Sequence, residues 1–390
     1  MDGMNGDDVY IVEAVRTPVG RGHAEKGIFR DVHPAALLGR TFVELLGRAG
    51  VDSGRVDNAI AGCVYQIGEQ STGITRNAWL GRGLAEETGA ITVDIRCGSG
   101  QEATHFGALR IAAGVDDLVV TGGVESMSRV GFPVNEKQQE EFGRGFDEEL
   151  LERYELLPQG LAAELIAERW GISREASDEF AARSQQRATA ASESGAFRRE
   201  TMDFEVDGEV HSVDQGIRPG TTAEKLAALK PAFKEGGTLT GGNSSQISDG
   251  AAALLLANKA TADELGLTPR ARIVDEVTLG VDPITMLTGP IPATRKILAR
   301  NKMAIGDLDA IEINEAFASV VLAWEREHSP DMDKVNQRGG AIALGHPLGS
   351  SGARLLTTLV HELEDLDGEY GLVTMCTAGG LGTATLIQRV

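Results

Sequence analysis

At 390 residues with 42 % hydrophobic side chains, the chain is long enough for two or three domains and too apolar to be disordered. Its 37 basic and 58 acidic residues give a formal charge of −21, which argues against nucleic acid or an anionic membrane as a partner. The same excess repels phosphate-bearing ligands at long range, so any site for one needs its own local positive charge.

Met1 to Tyr10 is acidic and lacks the basic region and apolar run of a signal peptide. No segment approaches the roughly 20 apolar residues of a membrane span. Three cysteines, Cys63, Cys97 and Cys376, make no disulfide framework in a chain this size, so a reducing cytoplasm is the expected setting. Val51–Val64 reads as a loop, an acidic turn and a short apolar strand, and Cys63 inside it reads as a structural cysteine. An apolar strand, Ile91–Ile95, leads to Cys97, and a helix begins near Ser99–Gln101. Leu118–Gly123 is the next strand. From about Ser126 to Ser248 runs a long insertion with helical stretches at Leu161–Trp170 and Ser173–Ser194, the latter stopped by Gly195. A polar, Gly/Thr-rich connection, Gly216–Thr222, lies within it, and the strand Ala251–Ala257 follows.

The second part repeats the first at a distance of about 250 residues. Met303–Ala316 resembles Val51–Val64, His346-Pro-Leu-Gly-Ser-Ser-Gly matches the turn at Cys97-Gly-Ser-Gly, and Leu372–Thr377 matches Leu118–Gly123. A last strand, Thr383–Gln388, corresponds to Ala251–Ala257. Short β-branched runs alternating with helical patterns argue for βα units. The expected fold is therefore α/β, with two similar βαβαβαββ domains, residues 1–125 plus 249–269 and residues 270–390. Residues 126–248 form a loop domain inserted in the first. A single large sheet with a lid is the less expected alternative, given the repeat.

Cys97, at a strand-to-helix turn, feels the helix dipole and unpaired backbone N–H groups, which favour thiolate; a buried structural cysteine is the competing reading. His346, between Gly345 and Pro347, is expected at the mouth of the repeat-related helix. Packing two symmetric halves brings these mouths together, as a nucleophile and its base require. Among the other histidines only His105 competes, one or two turns into the Cys97 helix. Cys376 ends a strand, and the loop from Thr377 to Gly382 offers backbone N–H donors of the kind used in oxyanion holes. Asn314 and Glu315 follow the strand Ala310–Ile313, where a helix cap is the plain reading. No cluster with metal-ligand spacing is present.

Taken together these motifs resemble the thiolase family over nearly the full length. The matching segments include Val12-Glu-Ala-Val-Arg-Thr-Pro18, Cys97-Gly-Ser-Gly, Gly122-Gly-Val-Glu-Ser-Met-Ser128 and Gly242-Asn-Ser-Ser-Gln-Ile-Ser-Asp-Gly250. They continue with Asn314-Glu-Ala-Phe-Ala318, Gly339-Gly-Ala-Ile-Ala-Leu-Gly-His-Pro347 and the Cys376 loop. The resemblance implies a five-layered αβαβα fold, with coenzyme A on the inserted loop domain and no metal or prosthetic cofactor. It implies Cys97 as the nucleophile that takes the acyl group, His346 as its base, and Cys376 as the second acid/base at the α-carbon. Asn314 matches the residue that holds a water for one oxyanion hole, and the backbone N–H groups of Cys97 and Ala378 match the other. The family usually has glycine where Ala378 stands, so a positive φ there would mean strain. Arg218 matches a position near the adenosine end of coenzyme A, and Ser245 a serine beside the pantetheine; a solvated surface arginine is the plain reading of Arg218.

The implied reaction is thiolytic cleavage of a 3-ketoacyl-CoA or the reverse Claisen condensation of two acyl-CoAs. Pro158-Gln-Gly160 and Gly68–Trp79 depart from the short-chain biosynthetic pattern and resemble a branch that includes degradative enzymes. Two alternatives are a ketoacyl-synthase-like condensing enzyme, which uses no second cysteine, and an inactive thiolase-like binding subunit. The resemblance further implies a homodimer or homotetramer, paired beside Ile91–Ile95.

Overall fold

The computed structural model describes residues 8–390. Residues 1–7, most of the stretch read above as acidic and without a signal sequence, lie outside the described residues. The first half opens with β1 (Val9–Arg16) and the short β2 (Gly20–Arg21), followed by α1 (Pro34–Ala49). Helix α1 has Pro34 in its first turn, a His33 side chain that accepts the Ala35 N–H, and Gly50 at φ 66° ending it. Then come β3 (Asn58–Gly62), α2 (Ile74–Leu80), β4 (Gly89–Val93), α3 (Ser99–Ala112) and β5 (Leu118–Ser126).

Between β5 and the next strand of the sheet lie α4 (Phe132–Phe142), α5 (Glu148–Arg153), α6 (Gln159–Arg169) and α7 (Arg174–Ser194). A small hairpin, β6 (Phe204–Val206) and β7 (Glu209–His211), and α8 (Ala223–Ala227) complete this segment. Helix α7 begins where its Ser173 cap accepts the Ala176 N–H and stops at Gly195, φ 78°, as its sequence predicts. The chain then returns to the sheet as β8 (Ser248–Asn258), all of whose residues are buried, which explains its continuous apolar run.

After α9 (Lys259–Leu265), the second half runs β9 (Ala271–Gly280), α10 (Pro290–Arg300), β10 (Ala310–Ile313) and α11 (Ala318–His328). It ends with α12 (Ala341–Leu344), α13 (Ser351–Leu366), β11 (Tyr370–Thr377) and β12 (Leu381–Arg389). The strand order is β10-β11-β12-β9-β1-β8-β5-β3-β4. Matching β1 with β9, β3 with β10, β5 with β11 and β8 with β12 superposes the two orders, so the duplication read in the sequence is present in the topology. The counterpart of β4 in the second half is reduced to one parallel bridge, Val335 to Ile311.

The hydrogen-bonded path runs through both halves, but β1 and β9 share only the pairs Tyr10–Arg272 and Ile11–Ala271. What joins the halves is the layer between them. Helix α13 packs on β8 and β1 on one side and on β10 and β11 on the other, and α3 lies beside it against β3 and β5. Helices α1 and α2 cover the outer face of one half-sheet and α10 that of the other, giving five layers, αβαβα. The apolar core of the middle layer takes Ile60, Val93 and Ala103 from the first half and Leu355, Leu359 and Met375 from the second. Fully burying each leucine there is worth about 1.5–3 kcal/mol, so this layer outweighs the two-pair strand link. Cys97 belongs to the same core.

Candidate active site

Strand β4 stops at Val93, and Asp94–Arg96 turn the chain into α3. Ser99 fixes this turn: its hydroxyl donates to the Arg96 carbonyl at 2.5 Å and accepts the Ile95 N–H at 3.0 Å. Arg96 is held in the left-handed region at φ 59°, a strained conformation directly before Cys97. Cys97 is 5 % exposed. Burial pushes its thiol up to about 11, against the backbone N–H groups of Ala378 and of Cys97 itself, which donate to the sulfur. Burial thus opposes the helix terminus at this sulfur.

Ala378 follows β11, and its φ is not among the positive ones; Gly379 and Gly380, at φ 89° and 81°, make the left-handed turn instead. The alanine therefore points its N–H at Cys97 without strain. Cys376, also fully buried, lies in β11. Burial pushes its thiol up, and the neighbouring Asn314 side chain opposes the rise.

His346 differs from expectation in its placement. A 3₁₀ turn, Leu348–Ser350, separates it from α13, so it precedes the helix rather than sitting at its first turn. Its Nδ1 is 2.6 Å from Ser351 Oγ, and its Nε2 is 3.4 Å from Asn314 Nδ2. Burial, then the charge of Arg354, lowers its pKa to about 3, so the imidazole is neutral. Asn314 is not a helix cap. Its backbone N–H bonds the Thr374 carbonyl at 3.1 Å, and its buried Oδ1 has no protein partner. One amide thus touches both His346 and Cys376.

Cys97, His346 and Ala378 line one cavity of about 690 Å³. Ser245 lines it as well, while Arg218 stands outside the lining, its Nη2 3.3 Å from Gln246 Oε1. Pro158, Gln159 and Gly160, the segment that departs from the short-chain pattern, are also on its wall. His105 is elsewhere: it bonds Thr385 Oγ1 at 2.8 Å and Glu102 at 3.1 Å, facing β12. Cys63 lies just past β3, its N–H on the Val93 carbonyl at 3.0 Å, and burial pushes its thiol well up, which fits the structural reading.

Two neighbours escaped the sequence reading. Ser351 orients His346, and Glu125 ties the halves together. Glu125 is buried in β5 and accepts from the Val64, Tyr65 and Gly349 N–H groups and from Gln70 Nε2, at 2.7–3.1 Å. Burial pushes its carboxyl up to about 7 while these four donors pull it down. Gly349 is required there, since a Cβ would stand 2.7 Å from the Gly62 carbonyl oxygen. Both residues lie inside quoted motifs, but their partners are distant in sequence.

Two similar half-domains meeting over a buried cysteine–histidine–cysteine cluster define a duplicated α/β enzyme. Residues 9–260 match the N-terminal domain of thiolases and residues 267–389 the C-terminal domain. The chain belongs to the thiolase family. It is 45 % identical over 389 residues to a steroid 3-ketoacyl-CoA thiolase of Mycobacterium tuberculosis, covering 98 % of this chain and 94 % of that one. It is 42 % identical over 401 residues to a beta-ketoadipyl-CoA thiolase of Pseudomonas aeruginosa, covering 98 % and 99 %. The crystal structure of the Bacillus anthracis acetyl-CoA acetyltransferase matches it with a TM-score of 0.90 at 37 % identity, covering 100 % of both chains. The protein is thus an acyltransferase with thiolase activity, and family membership implies coenzyme A esters as substrates and no prosthetic group. Among the described residues no helix is long and apolar enough to cross a membrane.

Proposed function

We propose that the protein cleaves 3-ketoacyl-CoA esters by thiolysis through an acyl-Cys97 intermediate, and runs the reverse condensation by the same steps. The observation that carries this reading is the convergence on one cavity of the Cys97 thiol, His346 Nε2 and the Ala378 N–H. His346 takes the Cys97 proton as sulfur attacks the 3-keto carbon. The oxyanion gathers the N–H groups of Cys97 and Ala378. The bond between C2 and C3 then breaks, and Cys376 gives its proton to the α-carbon of the departing acetyl-CoA. The thiol of coenzyme A attacks acyl-Cys97, its proton passing to Cys376; the C–S bond to Cys97 breaks, releasing a shortened acyl-CoA, and protonated His346 returns its proton to the departing Cys97 sulfur. Asn314 holds the water that, with protonated His346, faces the thioester oxygen. A ketoacyl synthase has no use for Cys376, and a binding subunit has no use for the cluster.

Coenzyme A lies along residues 126–248 in this reading, with Ser245 beside the pantetheine and Arg218 toward the adenosine. The relatives' names favour 3-ketoacyl-CoA substrates, and Pro158–Gly160 stands at the wall where such tails would differ. The edge strand β4, with Ile91 41 % exposed, pairs with a second copy, and residues 126–248 join two dimers into a tetramer. The setting is cytoplasmic. Thiolysis of a 3-ketoacyl-CoA length series tests the reading: turnover with release of acetyl-CoA supports it, and no cleavage at any length refutes it.

A further inference from the structure

We propose that helix α4 makes the cavity selective for acyl groups carrying a neutral oxygen function, a hydroxyl or a ketone, toward the end remote from the thioester. Asn135 and Gln139 are the specificity-determining residues. The inference rests on the thiolysis reading above and names the class of acyl group which that reading leaves open.

Helix α4 does not face as an ordinary surface helix does. Such a helix buries an apolar stripe and gives its polar face to water. Here Phe132, Asn135, Glu136 and Gln139 stand on the cavity wall, the i, i+3, i+4, i+7 set that makes one helical face. Three of these four are polar, and none of the helix's residues is buried. Its other large apolar side chains, Val134 and Phe142, are exposed. Packing therefore does not explain the face that α4 gives to the cavity.

The wall is graded along the helix. Phe132 packs edge-on against Tyr65, ring centroids 5.8 Å apart, and Tyr65 belongs to the same buried core as Cys97. The aromatic end of the wall is thus the Cys97 end. At about 1.5 Å per residue, Asn135 and Gln139 stand about 4.5 Å and about 10.5 Å further along the helix axis. A tail that runs from the thioester along α4 passes the aromatic pair first and meets the amides next. Among the described residues neither side-chain amide makes a hydrogen bond to protein. Gln246, elsewhere on the wall, is already engaged: its amide donates to the carbonyls of Gly216, Ile342 and Ala343 at 2.8–3.0 Å. An amide both donates and accepts, so Asn135 and Gln139 can each serve a hydroxyl or a ketone. An anion fits less well, because Glu136 shares their face and Arg96, the arginine on the wall, already has Asp94 at 3.5 Å. A plain alkyl tail gains no bond from the amides and strips them of water.

The test compares kcat/KM for thiolysis of 3-ketoacyl-CoA esters of one chain length whose far end is plain, hydroxylated, keto-substituted or carboxylated. Wild type should prefer the hydroxylated and keto esters to the plain one about tenfold, the worth of one hydrogen bond. Asn135→Leu combined with Gln139→Leu, of similar volume, should lose that preference. The preference is a ratio within one protein, so partial unfolding of a variant cancels from it. Asn135→Asp combined with Gln139→Glu accepts but no longer donates, so it should keep the hydroxylated ester and lose the keto ester. A merely structural role would not split the two esters. A wild type that takes the plain or the carboxylated ester as well as the oxygenated ones refutes the inference and leaves the thiolase reading standing. A preference that survives the double leucine variant does the same. Cleavage of none of the esters overturns the thiolase reading, and the inference with it.

Discussion

Ser351 Oγ lies 2.6 Å from His346 Nδ1 while its hydroxyl proton is donated to the Pro347 carbonyl at 2.8 Å. With that proton used, the oxygen accepts the Nδ1–H, and the tautomer that leaves Nε2 with its lone pair toward the cavity is fixed. Ser351→Ala should therefore lower kcat for thiolysis about tenfold, one hydrogen bond's worth of orientation, with little change in KM. Steady-state kinetics of the variant check this; an unchanged kcat would show that packing alone orients the ring.

The burial of Cys97 has a pH signature. Burial, the leading cause, raises its thiol to about 11, so the thiolate fraction climbs with pH across the whole working range. Iodoacetamide inactivation of the free enzyme should speed up by roughly tenfold per pH unit from 7 to 10, without a plateau. The linked effect on stability has the matching sign. The buried neutral thiol contributes stability below the usual thiol pKa of about 8.5, and this is lost as pH rises through about 11. A rate that levels off below pH 8 would mean a preformed thiolate.

Glu125 joins Val64, Tyr65 and Gln70 of the first half to Gly349, three residues past His346. Each carboxylate oxygen accepts two donors, so the amide group of a glutamine would turn its own N–H toward N–H donors. Glu125→Gln should destabilise the protein by about 1–3 kcal/mol and lower kcat through a displaced His346 turn. Denaturant unfolding and turnover measured together check this, and a variant as stable and active as wild type would remove Glu125 from the account.

The first half of the fold was legible because its strands are short β-branched runs between turn signals. In the second half the strand matching β4 could not be read, since Val335 makes only a single bridge in a polar stretch. Pro347 suggested that a helix begins at once, yet Leu348–Ser350 form a 3₁₀ turn first, and proline suits either start. The sequence located Cys97 at a helix terminus but carried no measure of its burial, which opposes the terminus. The polar face of α4 had no local signal at all: its significance comes from Tyr65, Cys97 and Ser245, which the fold brings into one cavity with it.

The account centres on a division of labour between the two buried cysteines, and Cys376→Ala tests it most directly. Intact-mass analysis after mixing with acetyl-CoA should show one acetyl group on wild type and on Cys376→Ala, and none on Cys97→Ala. Steady-state thiolysis of acetoacetyl-CoA by Cys376→Ala should fall by about 10²–10⁴-fold, the usual contribution of a positioned acid/base. Acetylation mapped to Cys63 or Cys376, or lost in Cys376→Ala in parallel with thiolysis while the variant stays folded, would contradict it.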